Sequence, residues 1–165
     1  MTAKKLQEIA LKHFAEKGYD GTSLTDIAEE VGIKKPSIYA HYPSKMDLFM
    51  SVVEAAKEDY RQCWRHALAE TVALPAECKL EKLFHSVSTH FTGDRTKMSF
   101  WVRLLVFPPT NCPIDIMPSL KEMNSEFIIE VAHIFREGMS KGTLRQGSAE
   151  ERAQSFFWVL VGYLM

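Results

Sequence analysis

A chain of 165 residues, 46% hydrophobic and 25% charged, is long enough for one domain or a small domain joined to a larger one, with a sizeable core. Its formal net charge of -1 excludes a globally basic nucleic-acid binder, so any contact with DNA must rest on a local patch. Cys63, Cys78 and Cys112 are odd in number, widely spaced and free of any C-x-x-C pair, which fits a reducing cytoplasm better than a disulfide framework.

The first predicted element is a helix. Leu6, Ile9, Ala10, His13 and Phe14 recur at spacings of three and four, and Gly18 supplies the stop. Its mixed charges exclude a secretory signal. Thr22 and Ser23 offer N-caps for a second, short helix, with Asp26 completing a near capping box. Leu24, Ile27, Ala28 and Val31 form its inner face, and Gly32 ends it. Pro36 suits the first turn of a third helix over 35–42, which Pro43 breaks. Ser44 and Asp47 repeat the capping pattern and open a long fourth helix, striped by Leu48, Phe49, Val52, Val53, Ala56, Tyr60, Cys63, Trp64 and Ala67 and closed by Pro75.

A fifth helix reads from Leu80 through Leu83, Phe84, Val87 and Phe91 to near Gly93. Phe100, Trp101, Leu104 and Leu105 mark a sixth, stopped by Pro108 and Pro109, and PPTNCPIDIMP follows as a rigid loop. A seventh spans 117–141, with Leu120, Met123, Phe127, Val131, Ile134 and Phe135 inward and Gly142 as its cap. The eighth begins near Ser148, and beyond Phe156 it is apolar on nearly every side, which predicts burial all round. That final run, FFWVLVGYLM, is about half the roughly 20 residues a membrane span needs, so no membrane partner is expected. It stops without a cap or polar tail, and the natural protein is expected to continue past Met165. No strand pattern, repeat or low-complexity tract is legible. The fold class is all-α.

Charge is locally polarised. The sixteen residues 31–46 hold Lys34, Lys35, Lys45 and His41 with no Asp or Glu, whereas Asp26, Glu29 and Glu30 precede them. Helices two and three, joined through Gly32, have the spacing of a helix-turn-helix, in which the second helix must be short, firmly held and polar outside. Ile33 and Ile38 can pack inward. Lys34 and Lys35 suit phosphates or guanine edges, Ser37 and Tyr39 carry hydroxyls for phosphate or base, and His41 and Tyr42 divide between core and DNA. Lys45 would reach the flanking backbone, and Thr25 with the amides opening helix two can hold a phosphate. The same pattern also occurs in all-α proteins that bind no DNA, where a lysine pair is merely solvated.

The run ALKHFAEKGYDGTSLTDIAEEVGIKKPSIYAHYPSKMDLF resembles the N-terminal domain of the TetR/AcrR family of bacterial transcriptional regulators over about residues 4–52. The family's glycine turn, Ile-Ala pair and Leu-Tyr-x-His-Phe-x-x-Lys-x-x-Leu spacing are all matched, the last as IYAHYPSKMDL. Departures are Pro36 where small residues are usual, Ile38 for Leu, Tyr42 for Phe, and Ala40 at a position often bulkier. The resemblance implies that Lys34, Lys35, Ser37, Tyr39 and His41 lie on a recognition helix that reads double-stranded operator DNA, with Lys45 on a flanking phosphate. It implies a helix-turn-helix domain over 1–48 and a helical ligand-binding and dimerisation domain over 49–165, C-terminally incomplete. It further implies a cytoplasmic homodimer that acts as a repressor and is released by a small apolar effector, with no cofactor. Two heads in successive major grooves sit about 34 Å apart, and an effector that tilts the fourth helix would spoil that spacing, a coupling of roughly 1–3 kcal/mol.

Effector candidates after residue 55 are Trp64, Phe84, Phe91, Trp101, Phe107, Phe127 and Trp158, each of which also reads as ordinary core. Arg103 interrupts the apolar run FWVRLLVF, so it must reach solvent, meet a carboxylate such as Glu126 or Glu130, or bind an acidic apolar effector. The last helix, with Phe156, Phe157, Trp158, Val159, Leu160, Val161 and Tyr163, is the expected dimer surface. Two readings compete: an enzyme, and a helical ligand carrier or interaction module without DNA binding. Against the enzyme, no nucleophile elbow, P-loop, dinucleotide fingerprint or H-E-x-x-H occurs, and Cys63 with His66 gives too few ligands for a metal.

Overall fold

In the computed structural model, which describes residues 3–164, the described chain forms eight helices: α1 (Ala3–Gly21), α2 (Leu24–Val31), α3 (Lys35–Tyr39), α4 (Lys45–Ala69), α5 (Ala76–Thr92), α6 (Arg95–Val106), α7 (Met117–Ser140) and α8 (Ala149–Leu164). The all-α expectation holds. The boundaries shift where local chemistry outweighs hydrophobic periodicity. Gly18 takes φ 72° and breaks the helical path, yet the chain stays coiled to Gly21. The third helix ends at Tyr39, three residues early, because the residue before Pro43 is driven out of the α region; His41 and Tyr42 instead close tight turns onto the Ile38 carbonyl. α5 starts at Ala76, directly after Pro75, and α6 starts at Arg95, where the Asp94 carboxylate accepts from the amides of Thr96 and Lys97.

Both capping patterns read from the sequence form. Ser23 Oγ accepts from the Asp26 amide at 3.1 Å and donates to its carboxylate at 2.6 Å; Ser44 and Asp47 repeat this at 3.1 and 2.6 Å. Gly32, at φ 80°, is the left-handed C-cap that turns α2 toward α3.

The chain divides into two compact units. The first is Met1–Ala56 with Asp94–Asp115, the second Lys57–Gly93 with Ile116–Met165. α6 therefore packs with the N-terminal helices. α6 lies along α1, and Phe100 stands 6.3 Å from Phe49, which in turn meets Phe14 at 5.0 Å and Tyr19 at 4.9 Å. Leu6, Ala10, Ile27, Ile38, Leu48, Val53 and Leu104 complete that core.

In the second unit, α5, α7 and α8 pack together around Leu83, Val87, Leu120, Phe127, Val131 and Leu160. Gly138 lets α7 approach its neighbours: a Cβ there would stand 2.7 Å from that of Ala76 and 2.5 Å from Leu144 Cδ1. The buried-all-round reading of α8 is corrected. Phe157 and Leu160 are buried, but Trp158, Val159 and Tyr163 are exposed, because α7 and α5 cover only one side of the helix. No described helix is long and apolar enough to cross a membrane.

Candidate nucleic-acid interface

α3 is too short to hold its own shape, so its orientation comes from what it buries. Ile38 is fully buried beneath it, and Ile33 in the preceding turn is half-buried. Lys34, in extended backbone, is the N-cap, and Pro36 occupies the first turn, where its missing N–H costs no hydrogen bond. The Ser37 amide closes the turn on the Lys34 carbonyl at 2.8 Å. Everything else on the helix faces out. Lys34, Lys35, Ser37, Tyr39 and His41 are exposed, as is Thr25 at the start of α2; Tyr42 is half-buried.

Two of the three acids of α2 are engaged by α1, while Glu29 is exposed. Glu30 accepts from Lys12 and lies 2.8 Å from His13 Nε2, and Asp26 pairs with Lys17 at 2.9 Å. Hydrogen bonds from Lys12 and His13 hold the Glu30 carboxyl below the usual carboxylate range, and the same partnership raises Lys12. The Ser23 hydroxyl and then Lys17 do the same to Asp26. The local field at α3 is therefore less cancelled than the balanced charge of the first 48 residues suggests. Lys34 and Lys35 meet no carboxylate among the described residues.

Lys45 differs from the rest of the predicted set. Its ammonium donates to the Thr22 carbonyl at 2.8 Å and sits 4.4 Å from the centre of the Tyr19 ring. It is half-buried, and burial pulls its pKa down. Thr22 itself is 2% exposed, and its hydroxyl donates to the carbonyls of His13 and Gly18 at 3.1 and 2.7 Å. Lys45 thus fastens the start of α4 to the entrance of α2.

Arg103 meets neither of the carboxylates offered for it. Its Nε donates to the Ala15 carbonyl at 2.6 Å and its Nη2 to the Glu16 carbonyl, while Glu126 is bound by Arg61 at 2.9 Å. A helix end has unmatched carbonyls to offer, which sequence spacing does not reveal. Among the other effector candidates, Trp101 and Phe107 also lie in the first unit, the one buried and the other 69% exposed.

Trp64, Phe84, Phe91, Phe127 and Trp158 lie in the second unit. Trp64 and Phe127 meet edge-on at 5.9 Å, and Tyr60 packs on Phe91 at 5.5 Å and on Phe127 at 5.9 Å. Phe84 meets Phe156 edge-on at 6.0 Å and Tyr163 at a tilt at 5.5 Å, and Trp158 is 61% exposed. The Trp64 ring is buried, and its indole N–H has no acceptor among the described residues. No group of three or more metal-binding side chains occurs among the described residues; His66 pairs with Glu70, and His90 with Asp59.

A tight two-helix turn with a buried anchor, an outward acid-free strip, and Asp26 and Glu30 tied back has the geometry of a helix-turn-helix. Residues 8–52 match the family model of bacterial regulatory proteins of the tetR family. The biofilm-operon negative transcriptional regulator IcaR of Staphylococcus epidermidis is 48% identical over 50 residues, a match that spans 30% of this chain and 27% of that protein. The chain thus aligns with about a quarter of the length of the curated relatives it matches. Two solved structures carry the likeness of fold across the chain. The TetR family regulator PfmR of Thermus thermophilus matches with a TM-score of 0.76 at 21% identity, over 97% of this chain and 84% of that one. Bacillus subtilis FadR, in complex with stearoyl-CoA, matches with a TM-score of 0.77 at 18% identity, over 99% and 85%. Residues 8–52 thus carry the sequence pattern of the tetR family of bacterial regulatory proteins, and the likeness to the solved structures extends the fold across the rest of the chain.

Proposed function

We propose that this protein is a cytoplasmic DNA-binding transcriptional repressor that reads a double-stranded operator through Lys34, Lys35, Ser37, Tyr39 and His41. The observation that carries this reading is the outward face of α3, exposed and free of acids while Asp26 and Glu30 are neutralised from α1. Lysines at the start of a recognition helix suit guanine edges and phosphates, and hydroxyls at Ser37 and Tyr39 suit either. Thr25 and the amides opening α2 add a phosphate contact. Lys45 acts mainly by holding α4 on Thr22, with its remaining N–H groups available to a flanking phosphate.

The active form is a homodimer joined through α8 and α7, where Trp158, Val159, Tyr163 and Ile129 are each more than half exposed. A two-fold pair of heads would occupy successive major grooves and so block polymerase. The effector is a small apolar molecule bound among Trp64, Phe84, Phe91 and Phe127, with the buried Trp64 N–H donating to an acceptor on it. Arg103 is not its anchor, since that guanidinium is committed to α1.

The test is selection of duplexes from a random library with the purified protein, followed by fluorescence anisotropy at fixed salt against selected and scrambled DNA. The reading expects tight binding to selected duplexes that Tyr39→Ala weakens sharply. Failure to enrich any duplex, in a protein shown to be dimeric, refutes it and leaves the helical carrier as the function.

A further inference from the structure

Ahead of α2 and α3 the path of α1 breaks at Gly18, and residues from four other segments close around the break. At Gly18 the backbone leaves the helical region, at φ 72° and ψ 175°, so the carbonyls of the preceding turn lose the amides that a continuing helix would supply. Arg103, 87 residues along the chain from Glu16, donates to two of those carbonyls, at Ala15 and Glu16. Thr22 closes on His13 and Gly18 from the α2 side, and Lys45 closes on Thr22 from α4. Four residues beyond Glu16, the Asp20 carboxylate accepts from both the amide and the hydroxyl of Thr110 at 3.3 Å. The planar fork of a guanidinium meets two carbonyls from separate nitrogens held in a fixed geometry, whereas an ammonium must reach both from one freely rotating nitrogen. A Cβ at Gly18 would stand 3.6 Å from Arg103 Nη1, so the guanidinium lies directly against the break.

We infer that Arg103 is a positioning residue of the DNA-reading head, fixing the angle at which α1 hands the chain to α2 and α3 without itself touching DNA. This rests on the DNA-reading function proposed above. Preorganisation is the physical content. A free head that samples several angles at Gly18 loses affinity by the fraction of time spent in the wrong one. A residue acting this way changes how often the head is correctly posed, not how many phosphates it neutralises.

The experiment measures binding of a library-selected duplex by the full chain at several salt concentrations, for the wild type, Arg103→Met and Arg103→Lys. Amide hydrogen exchange and thermal melting accompany it. The inference expects Arg103→Met to bind roughly tenfold more weakly. The slope of log affinity against log salt should match wild type, and exchange should be faster at residues 19–22. Arg103→Lys should fall between the two. Wild-type affinity in a folded Arg103→Met overturns the inference. So does a salt slope reduced by about one per head, the mark of a direct phosphate contact. If Arg103→Met does not fold, Arg103→Lys decides: wild-type affinity together with wild-type exchange at 19–22 overturns it. Failure of the wild type to select any duplex instead refutes DNA reading itself, a separable outcome.

Discussion

Removing both lysines that open α3 gives a quantitative prediction. Lys34 and Lys35 are exposed and meet no carboxylate among the described residues, so Lys34→Ala, Lys35→Ala breaks no internal ion pair. Fold stability should move by no more than about 0.5 kcal/mol. DNA binding should change greatly. Each lysine on a phosphate contributes about 0.9 to the slope of log affinity against log salt, so four lysines in a two-headed dimer contribute about 3.6. Between 50 and 200 mM salt, 0.6 of a decade, the variant should therefore lose about 150-fold less affinity than wild type. Fluorescence anisotropy across that range measures both slopes. A variant that is weaker at every salt concentration but keeps the wild-type slope would mean the lysines read bases only. One indistinguishable from wild type would refute the assignment of α3 as the reading helix.

Gly138→Ala places a methyl 2.7 Å from the Cβ of Ala76, on a backbone that cannot yield as a side chain can. Overpacking outweighs the gain in helix propensity, so urea unfolding should show a loss of about 1–2 kcal/mol with the m-value unchanged. Acid stability follows from Glu137, whose carboxyl is held at about 2, against 4.5 ordinarily, by Lys141 and Lys79. Because the folded value is depressed, that stabilisation is full above about pH 4.5 and is lost as pH falls toward 2. The urea midpoint should fall across that window, and less steeply in Glu137→Gln; identical profiles for the two proteins would contradict the ion pairing. Trp158→Glu with Tyr163→Glu puts charge on the exposed side of α8. Sedimentation should shift from dimer to monomer with the helical content retained, and an unchanged dimer would place the interface elsewhere.

Much of the helix-turn-helix was legible because its determinants are local. Ser23 with Asp26, Ser44 with Asp47, and the glycine at position 32 are decided within four residues of chain, and each formed as its spacing predicts. The outward set on α3 was legible for the same reason, since one buried isoleucine fixes which way five residues turn. What stayed hidden is long-range. That α6 belongs beside α1, that Arg103 serves backbone carbonyls, and that Lys12 and Lys17 hold the acids of α2 all depend on contacts between distant segments. Charge composition carries no trace of them. The exposed side of α8 was misread because an all-round apolar sequence reports that a surface is to be covered, not whether the same chain covers it.

The central claim, that α3 enters a DNA groove, is tested most directly by amide hydrogen exchange of the full chain with and without a library-selected duplex. The account predicts slowed exchange confined to residues 24–45, strongest over 34–41, and absent with a scrambled duplex at the same salt. Protection confined to the second unit, or equal protection with scrambled DNA, would contradict it.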